Sequence, residues 1–213
     1  MLIFSKEVNV MKKVMGILSL LMVAIIIFSG CNTEKFILGE FTPSGEDGPK
    51  SEYFQGGTYI NGYFGFTATF PKEKSRISKN ELENTHGIAA SFEDGASLVI
   101  RVFNTENRDE TKGKPEEEIA EMYFKAIRKN IQNKEIAKNV GGYLNLNIQF
   151  LGQERNVLAV KSAPMVEGLE DGIGFYLPLT NGNIHMAIIG EIIGAHTEED
   201  IQKFLDNIFT ERS

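Results

Sequence analysis

The chain carries one thiol, three imidazoles and scattered carboxylates, and their spacing decides which chemistry is open to it. Cys31 is the only cysteine, and a thiol becomes a nucleophile or metal ligand as its thiolate. The histidines are His86, His185 and His196, and no pair has His-x-His or His-Glu-x-x-His spacing. Zinc needs several nitrogen or sulfur ligands at close, defined spacing, so no metal site is expected. His185 follows an Asn-Gly turn and His196 precedes a helix start, which places both at the solvent boundary as turn residues. Asn104 to Glu118 (NTENRDETKGKPEEE) is rich in oxygen ligands, but Arg108 stands where a calcium loop needs its third oxygen ligand and Asp109 where it needs glycine. It reads as a solvated loop running into an acidic helix start.

Catalytic patterns are also missing. There is no Gly-x-Ser-x-Gly elbow and no phosphate-binding Walker sequence. Gly172-x-Gly174-x-x-Leu177 stops one glycine short of a dinucleotide fingerprint and falls inside a strand pattern. Glu170 and Asp171 sit at a glycine turn, where carboxylates are usually solvated. Asn145, Asn147 and Gln149 alternate along one strand; they could line a ligand groove, but an uncovered sheet face turned to water is the simpler expectation. No catalytic residue, cofactor-binding residue or metal ligand is expected.

The elements that carry these residues occupy 213 positions, 42% hydrophobic and 24% charged, with no Trp, which suits one domain plus a short appendage. Net charge is −7. Residues 1–30 hold Lys6, Lys12 and Lys13 against Glu7, leaving 19 basic and 28 acidic residues beyond them. That sign argues against a nucleic-acid partner, because such affinity rests on neutralising phosphates.

Lys12 and Lys13 precede an uncharged stretch from Val14 to Phe28. As a helix it spans about 22 Å, short of a hydrocarbon core of roughly 30 Å, so residues 1–30 read as a signal peptide rather than a permanent span. Met11 would serve as a start as well as Met1. The stretch ends Phe28-Ser29-Gly30-Cys31. This resembles a bacterial lipobox, with Phe at the first place where an aliphatic residue is usual. The resemblance implies diacylglyceryl transfer to the Cys31 thiol, cleavage between Gly30 and Cys31, and acylation of the new amine. Two or more acyl chains meet the requirement for stable anchoring in a membrane. The rival readings are an uncleaved membrane anchor and a plain secretory signal with an incidental cysteine. With no second cysteine, the exported part must fold without a disulfide.

Residues 31–57 read as a flexible tether, rich in Gly and mixed charge, whose coil dimension of roughly 25–30 Å holds the domain clear of the lipid. The alternative is that Phe36-Ile37-Leu38 and Tyr53-Phe54 dock on the domain or on a partner. From 58 to 213 the spacing predicts a domain. Phe64, Phe66, Ala68 and Phe70 alternate as a strand ended by Pro71, and 88–104 forms a hairpin around Glu93-Asp94-Gly95. A helix follows Pro115, with Ile119, Met122, Tyr123, Ala126, Ile127 and Ile131 on one face. Four strands come next, from Gly141 to Glu191, the last pair turning at Asn181-Gly182. A closing helix has Thr197 as N-cap and Ile201, Phe204, Leu205 and Ile208 inward. The expected class is α+β: a mainly antiparallel sheet of about six to seven strands covered by two helices.

Tyr59 to Pro71 (YINGYFGFTATFP), followed by that order of elements, resembles the PsbP-like family. The family includes an extrinsic subunit of the photosynthetic oxygen-evolving complex, a Ran-binding import factor and many bacterial lipoproteins. The resemblance covers about 58–210 and implies an α/β/α sandwich acting as a binding or assembly module. No functional residue is carried over, since this chain lacks the Trp that many members place after the Phe-Pro. The expected function is a membrane-anchored, non-catalytic interaction or assembly module of the cell envelope, facing away from the cytoplasm. It would have the membrane as one partner, through lipid on Cys31, and a protein as another. The alternative is a solute- or metal-binding lipoprotein with a cleft between sheet and helix.

Overall fold

The computed structural model describes residues 36–41, 50–79, 85–107, 109–115, 118–119, 121–122, 124–125, 140–162 and 171–212. Two antiparallel sheets face each other. The first joins β1 (Phe36–Phe41), β2 (Lys50–Gln55), β3 (Thr58–Asn61), β4 (Phe66–Thr69) and the last strand, β12 (Phe209–Glu211), in the order β1-β2-β3-β4-β12. The second holds β5 (Ser75–Lys79), β6 (His86–Phe92), β7 (Ser97–Asn104), β8 (Val140–Phe150), β9 (Gln153–Ser162), β10 (Gly172–Asn181) and β11 (Ile184–Ile193), in the order β5-β6-β7-β11-β10-β9-β8. Helix α1 (Glu198–Ile208) leads from the second sheet into β12 of the first.

This corrects the expected α+β class. The domain is mostly antiparallel β in two sheets of five and seven strands, and among the described residues only α1 is an α-helix with defined bounds, beside a 3-10 turn at Thr105–Asn107. Among the described residues the α/β/α arrangement implied by the family resemblance is not found. The physical reason lies in 31–57, the expected tether, which supplies β1 and β2. Those strands pair with β3 and β4 to make a second apolar sheet face. The inner face of the seven-stranded sheet is therefore buried under a sheet. The helix expected after Pro115 lies mostly outside the described residues; its described positions 118–119, 121–122 and 124–125 are helical, with Ile119 buried and Glu118 and Lys125 exposed.

Alternation builds the core. Phe54, Tyr59, Phe66 and Ala68 point from the first sheet toward Ile88, Leu98, Ile100, Ile173, Leu177 and Ile188 of the second, all at most 1% exposed. Each such large side chain contributes roughly 1.5–3 kcal/mol by leaving water. A bulge in β1 adds to it: Ile37 opposes Tyr53 and Gly39 opposes Glu52, so the extra residue, Leu38, is free of the ladder and buried. At one corner Phe66, Phe150 and Phe209 meet edge to face, with centroids 5.2–6.1 Å apart, tying β4, β8 and β12 together.

Helix α1 closes the side between β12 and β8. Thr197 and Asp200 form a reciprocal capping box, and Phe204 meets Phe92 and Phe175 edge to face at 5.6 and 6.1 Å. The amide of Gln202 accepts from the Gln149 N–H (2.9 Å) and donates to the Gln149 carbonyl (2.7 Å). It completes the outer edge of β8 as a neighbouring strand would, which shields an edge otherwise open to another chain.

The turn expected at Asn181-Gly182 is displaced by one residue, and a second hairpin turn has an uncommon backbone. Between β10 and β11 the connecting pair is Gly182-Asn183, with positive φ (58°) at Gly182 and not at Asn183, the sign pattern of a type II′ turn. Between β8 and β9 the pair is Leu151-Gly152, and Leu151 (φ 52°) is the one described non-glycine residue with positive φ.

Candidate functional site

The strongest cluster of ionisable groups lies between the sheets. Glu52 of β2 and Asn61 of β3 are cross-strand partners facing inward, with Tyr59 two residues before Asn61 on the same face. All three are fully buried. From the opposite sheet His86, the first residue of β6, enters 8% exposed. One Glu52 oxygen, Oε1, pairs with His86 Nδ1, while Oε2 accepts from the Tyr59 hydroxyl and from Asn61 Nδ2 (3.3 Å). Asn61 Nδ2 also donates to the Tyr59 oxygen at 2.7 Å and lies 3.8 Å from Met186 Sδ. Asn61 Oδ1 accepts from the backbone N–H groups of Tyr63 and Phe64, both at 3.0 Å, so the same side chain shapes the β3–β4 loop. Asn181 anchors that loop to β10 through Tyr63 O at 2.7 Å.

The cluster is tightly framed. Gly39 of β1 lies against the His86 ring, and a Cβ there would collide with it. The Tyr63 ring stands 6.3 Å from the imidazole, centre to centre. The buried carboxyl group is held by hydrogen-bond partners on both oxygens, as a buried polar group requires. Its position suits the joining of two sheets. A general acid–base pair must also reach a substrate, and neither of the two clefts described here includes Glu52 or His86 in its lining. One, of about 360 Å³, is bounded by Glu73, Lys74, Ser75, Arg76, Ser91 and Glu93. The other, of about 90 Å³, lies among Phe64, Phe150, Leu151, Arg155 and Leu179.

Burial holds the Tyr59 hydroxyl well above the ordinary tyrosine range, and the neighbouring Glu52 charge adds to this. The unfolded chain loses its tyrosine protons near pH 10, whereas folded Tyr59 keeps its proton. Its contribution to stability is therefore complete below pH 10 and is lost as pH rises beyond it. We expect Tyr59 to stay protonated until the protein unfolds in alkali, and the stability of Tyr59→Phe to fall less steeply with pH above 10 than that of the wild type. Ultraviolet tyrosinate absorbance read beside circular dichroism checks this; ionisation of every tyrosine before unfolding would contradict it.

His185 departs from the expected turn position. It is fully buried, because β11 is a central strand between β7 and β10. On the outer face of the sheet its Nδ1 meets Thr180 Oγ1 (3.2 Å), its Nε2 meets the Tyr176 hydroxyl (3.4 Å), and the Phe103 ring lies 5.0 Å away. Both ring nitrogens thus have protein partners. His196 is exposed as expected, and its backbone N–H donates to Asp200 in the α1 cap at 2.9 Å. Asn145, Asn147 and Gln149 are exposed on the outer face of β8. Gly172 and Gly174 sit within β10 rather than in a phosphate-binding loop. The oxygen-rich stretch after Asn104 folds on itself: Asn104 Oδ1 accepts from Glu106 N–H, and buried Thr111 donates to Thr105 O at 2.8 Å.

Among the described residues no group of three or more His, Cys, Asp or Glu side chains could hold a metal, and no helix is long and apolar enough to cross a membrane. Gly30 and Cys31, the expected cleavage and lipidation residues, lie outside the described residues, as do Glu170 and the signal segment. Sequence reasoning missed the Glu52 network because Glu52 was placed in a tether. The signal that could have found it is Gly56-Gly57, a two-residue hairpin turn with φ of 62° and 90°, which pairs Glu52 with Asn61. Comparison with protein-family models finds none that matches the chain, and comparison with curated proteins finds no match.

Proposed function

We propose that the chain is a lipid-anchored protein of the cell envelope, facing away from the cytoplasm, whose folded part is a non-catalytic interaction or assembly module with a protein partner and no nucleic acid. The observation that carries this is Phe28-Ser29-Gly30-Cys31, closing an uncharged stretch with the only cysteine of the chain. Cys31 takes the acyl group through its thiol, and Gly30–Cys31 is the bond cut. One feature of the folded part supports a binding role: the outer face of β8 offers a row of exposed amides.

Cys31→Ala is expected to abolish metabolic acyl labelling and flotation with membranes. Crosslinking in cells, read by mass spectrometry against the Cys31→Ala control, should then recover one dominant protein from the wild type alone. A mutant that still labels and floats would refute the anchor. Equal recovery from wild type and mutant would refute a membrane-localised assembly role.

A further inference from the structure

We propose that the β1–β2–β3 end of the five-stranded sheet lies against the lipid bilayer; the inference rests on the lipid anchor at Cys31. The sequence alone gives a tether of about 26 residues, long enough to hold a domain roughly 25–30 Å from the headgroups. The structure shortens it. Strand β1 begins at Phe36, so four residues separate it from Cys31. A chain of that length reaches at most about 18 Å fully extended.

The register fixes which part of the fold comes within that reach. Phe36 opposes Phe54, next to the exposed Gln55 and Gly56 of the β2–β3 turn. Thr58 opposes Thr69, so β4 leaves the sheet at the same end. The Phe70 N–H donates to Gly57 O at 2.8 Å, which keeps the following residues there. Pro71, Lys72, Glu73 and Lys74 are all exposed, and the stem of Lys72 lies over Gly57. From β1 to β4 is three strand spacings, about 14 Å, so the whole rim falls within the anchor's reach.

The chemistry of the rim fits a phosphate-bearing surface without depending on it. Lys72, Lys74 and Arg76 are exposed in a chain whose net charge is −7. A basic residue near an anionic leaflet is attracted to it. Glu73, and Glu93 across the same cleft, offset part of that. The covalent tether therefore sets the contact, and charge adjusts the tilt.

The test uses the full lipidated protein in vesicles of phosphatidylcholine and phosphatidylglycerol carrying a headgroup quencher. A fluorophore is placed on Gln55→Cys, on Lys72→Cys, or on Asn107→Cys, the last beyond the far end of β7 and about 25 Å away along the strands. Gln55 and Lys72 labels should be quenched several-fold more than the Asn107 label. Inserting twenty Gly and Ser residues between Cys31 and Phe36 should erase the contrast. Equal quenching at all three sites, with acylation of Cys31 confirmed by mass, overturns the apposition and leaves the anchor intact. Contrast that survives the insertion overturns the tether as its cause. Absence of the acyl group overturns the anchor and the apposition with it.

Discussion

Glu52→Ala is expected to destabilise the protein by about 3–5 kcal/mol, read as a fall in the urea midpoint at unchanged slope. The carboxylate is fully buried and serves His86, Tyr59 and Asn61 at once. Removing it takes a hydrogen-bond partner from three buried polar groups in two sheets, and a buried donor left unsatisfied costs more than a hydrogen bond contributes when made. Glu52→Gln keeps the shape but adds an N–H₂ where acceptor oxygens stood, so a loss of about 1–3 kcal/mol is expected. His86→Ala removes one partner only, and the Glu52/His86 double-mutant cycle should show coupling of about 0.5–3 kcal/mol. A Glu52→Ala effect under about 0.5 kcal/mol would mean the cluster is idle in the fold.

That network also marks where the sequence stopped being legible. Strands and hairpins with strict alternation were readable: Phe66 to Thr69, the β6–β7 hairpin, the β8–β11 run and the capped helix α1 all fall close to their expected places. Local pattern carries such elements because period-two burial and cap chemistry act over a few residues. Which strands share a sheet is not local. Thr58–Asn61 and Phe66–Thr69 alternate in the same way whether they extend the seven-stranded sheet or face it. The choice is made by β1 (FILGEF) and β2 (KSEYFQ), which are half apolar but lie in a stretch, 31–57, whose Gly and mixed charge look like a linker. Glu52 misleads in particular, since an acid at an inward position hides the alternation of its strand; its partners, Tyr59, Asn61 and His86, are 7 to 34 residues away. His185 fails for a related reason. Proximity to a turn suggests exposure, but β11 is flanked on both sides and its outer face is covered by Tyr176, Thr180 and Phe103. Cys31, the residue proposed to carry the anchor, lies outside the described residues, and its proposal rests on four adjacent residues of sequence, Phe28-Ser29-Gly30-Cys31.

Gly87→Ala is expected to lose about 3 kcal/mol or more, the second large effect, and it acts on the same region through the backbone. Gly87 follows His86 in β6 at φ 148°, a region that L residues rarely adopt. A Cβ there would collide with the Ile100 carbonyl oxygen of β7, and its carbon and Arg101 Cα stand at 2.9 and 3.2 Å. All three are backbone atoms of a strand held on both sides by β6 and β11, so they cannot move aside as a flexible side chain would. The distortion would pass to His86, whose ring is confined by Gly39 and directed at Glu52. Gly56→Ala separates the two components of the loss. Gly56 also has positive φ, 62°, but a methyl there meets no atom within 4 Å, so only conformational strain of about 1 kcal/mol is expected. Urea unfolding of both variants gives the comparison. If they lose equal stability, the close approach of β6 to β7 is not what requires glycine at 87. If Gly87→Ala loses more, and His86→Ala adds little on that background, then the glycine and the buried Glu52–His86 pair act as one unit in joining the sheets.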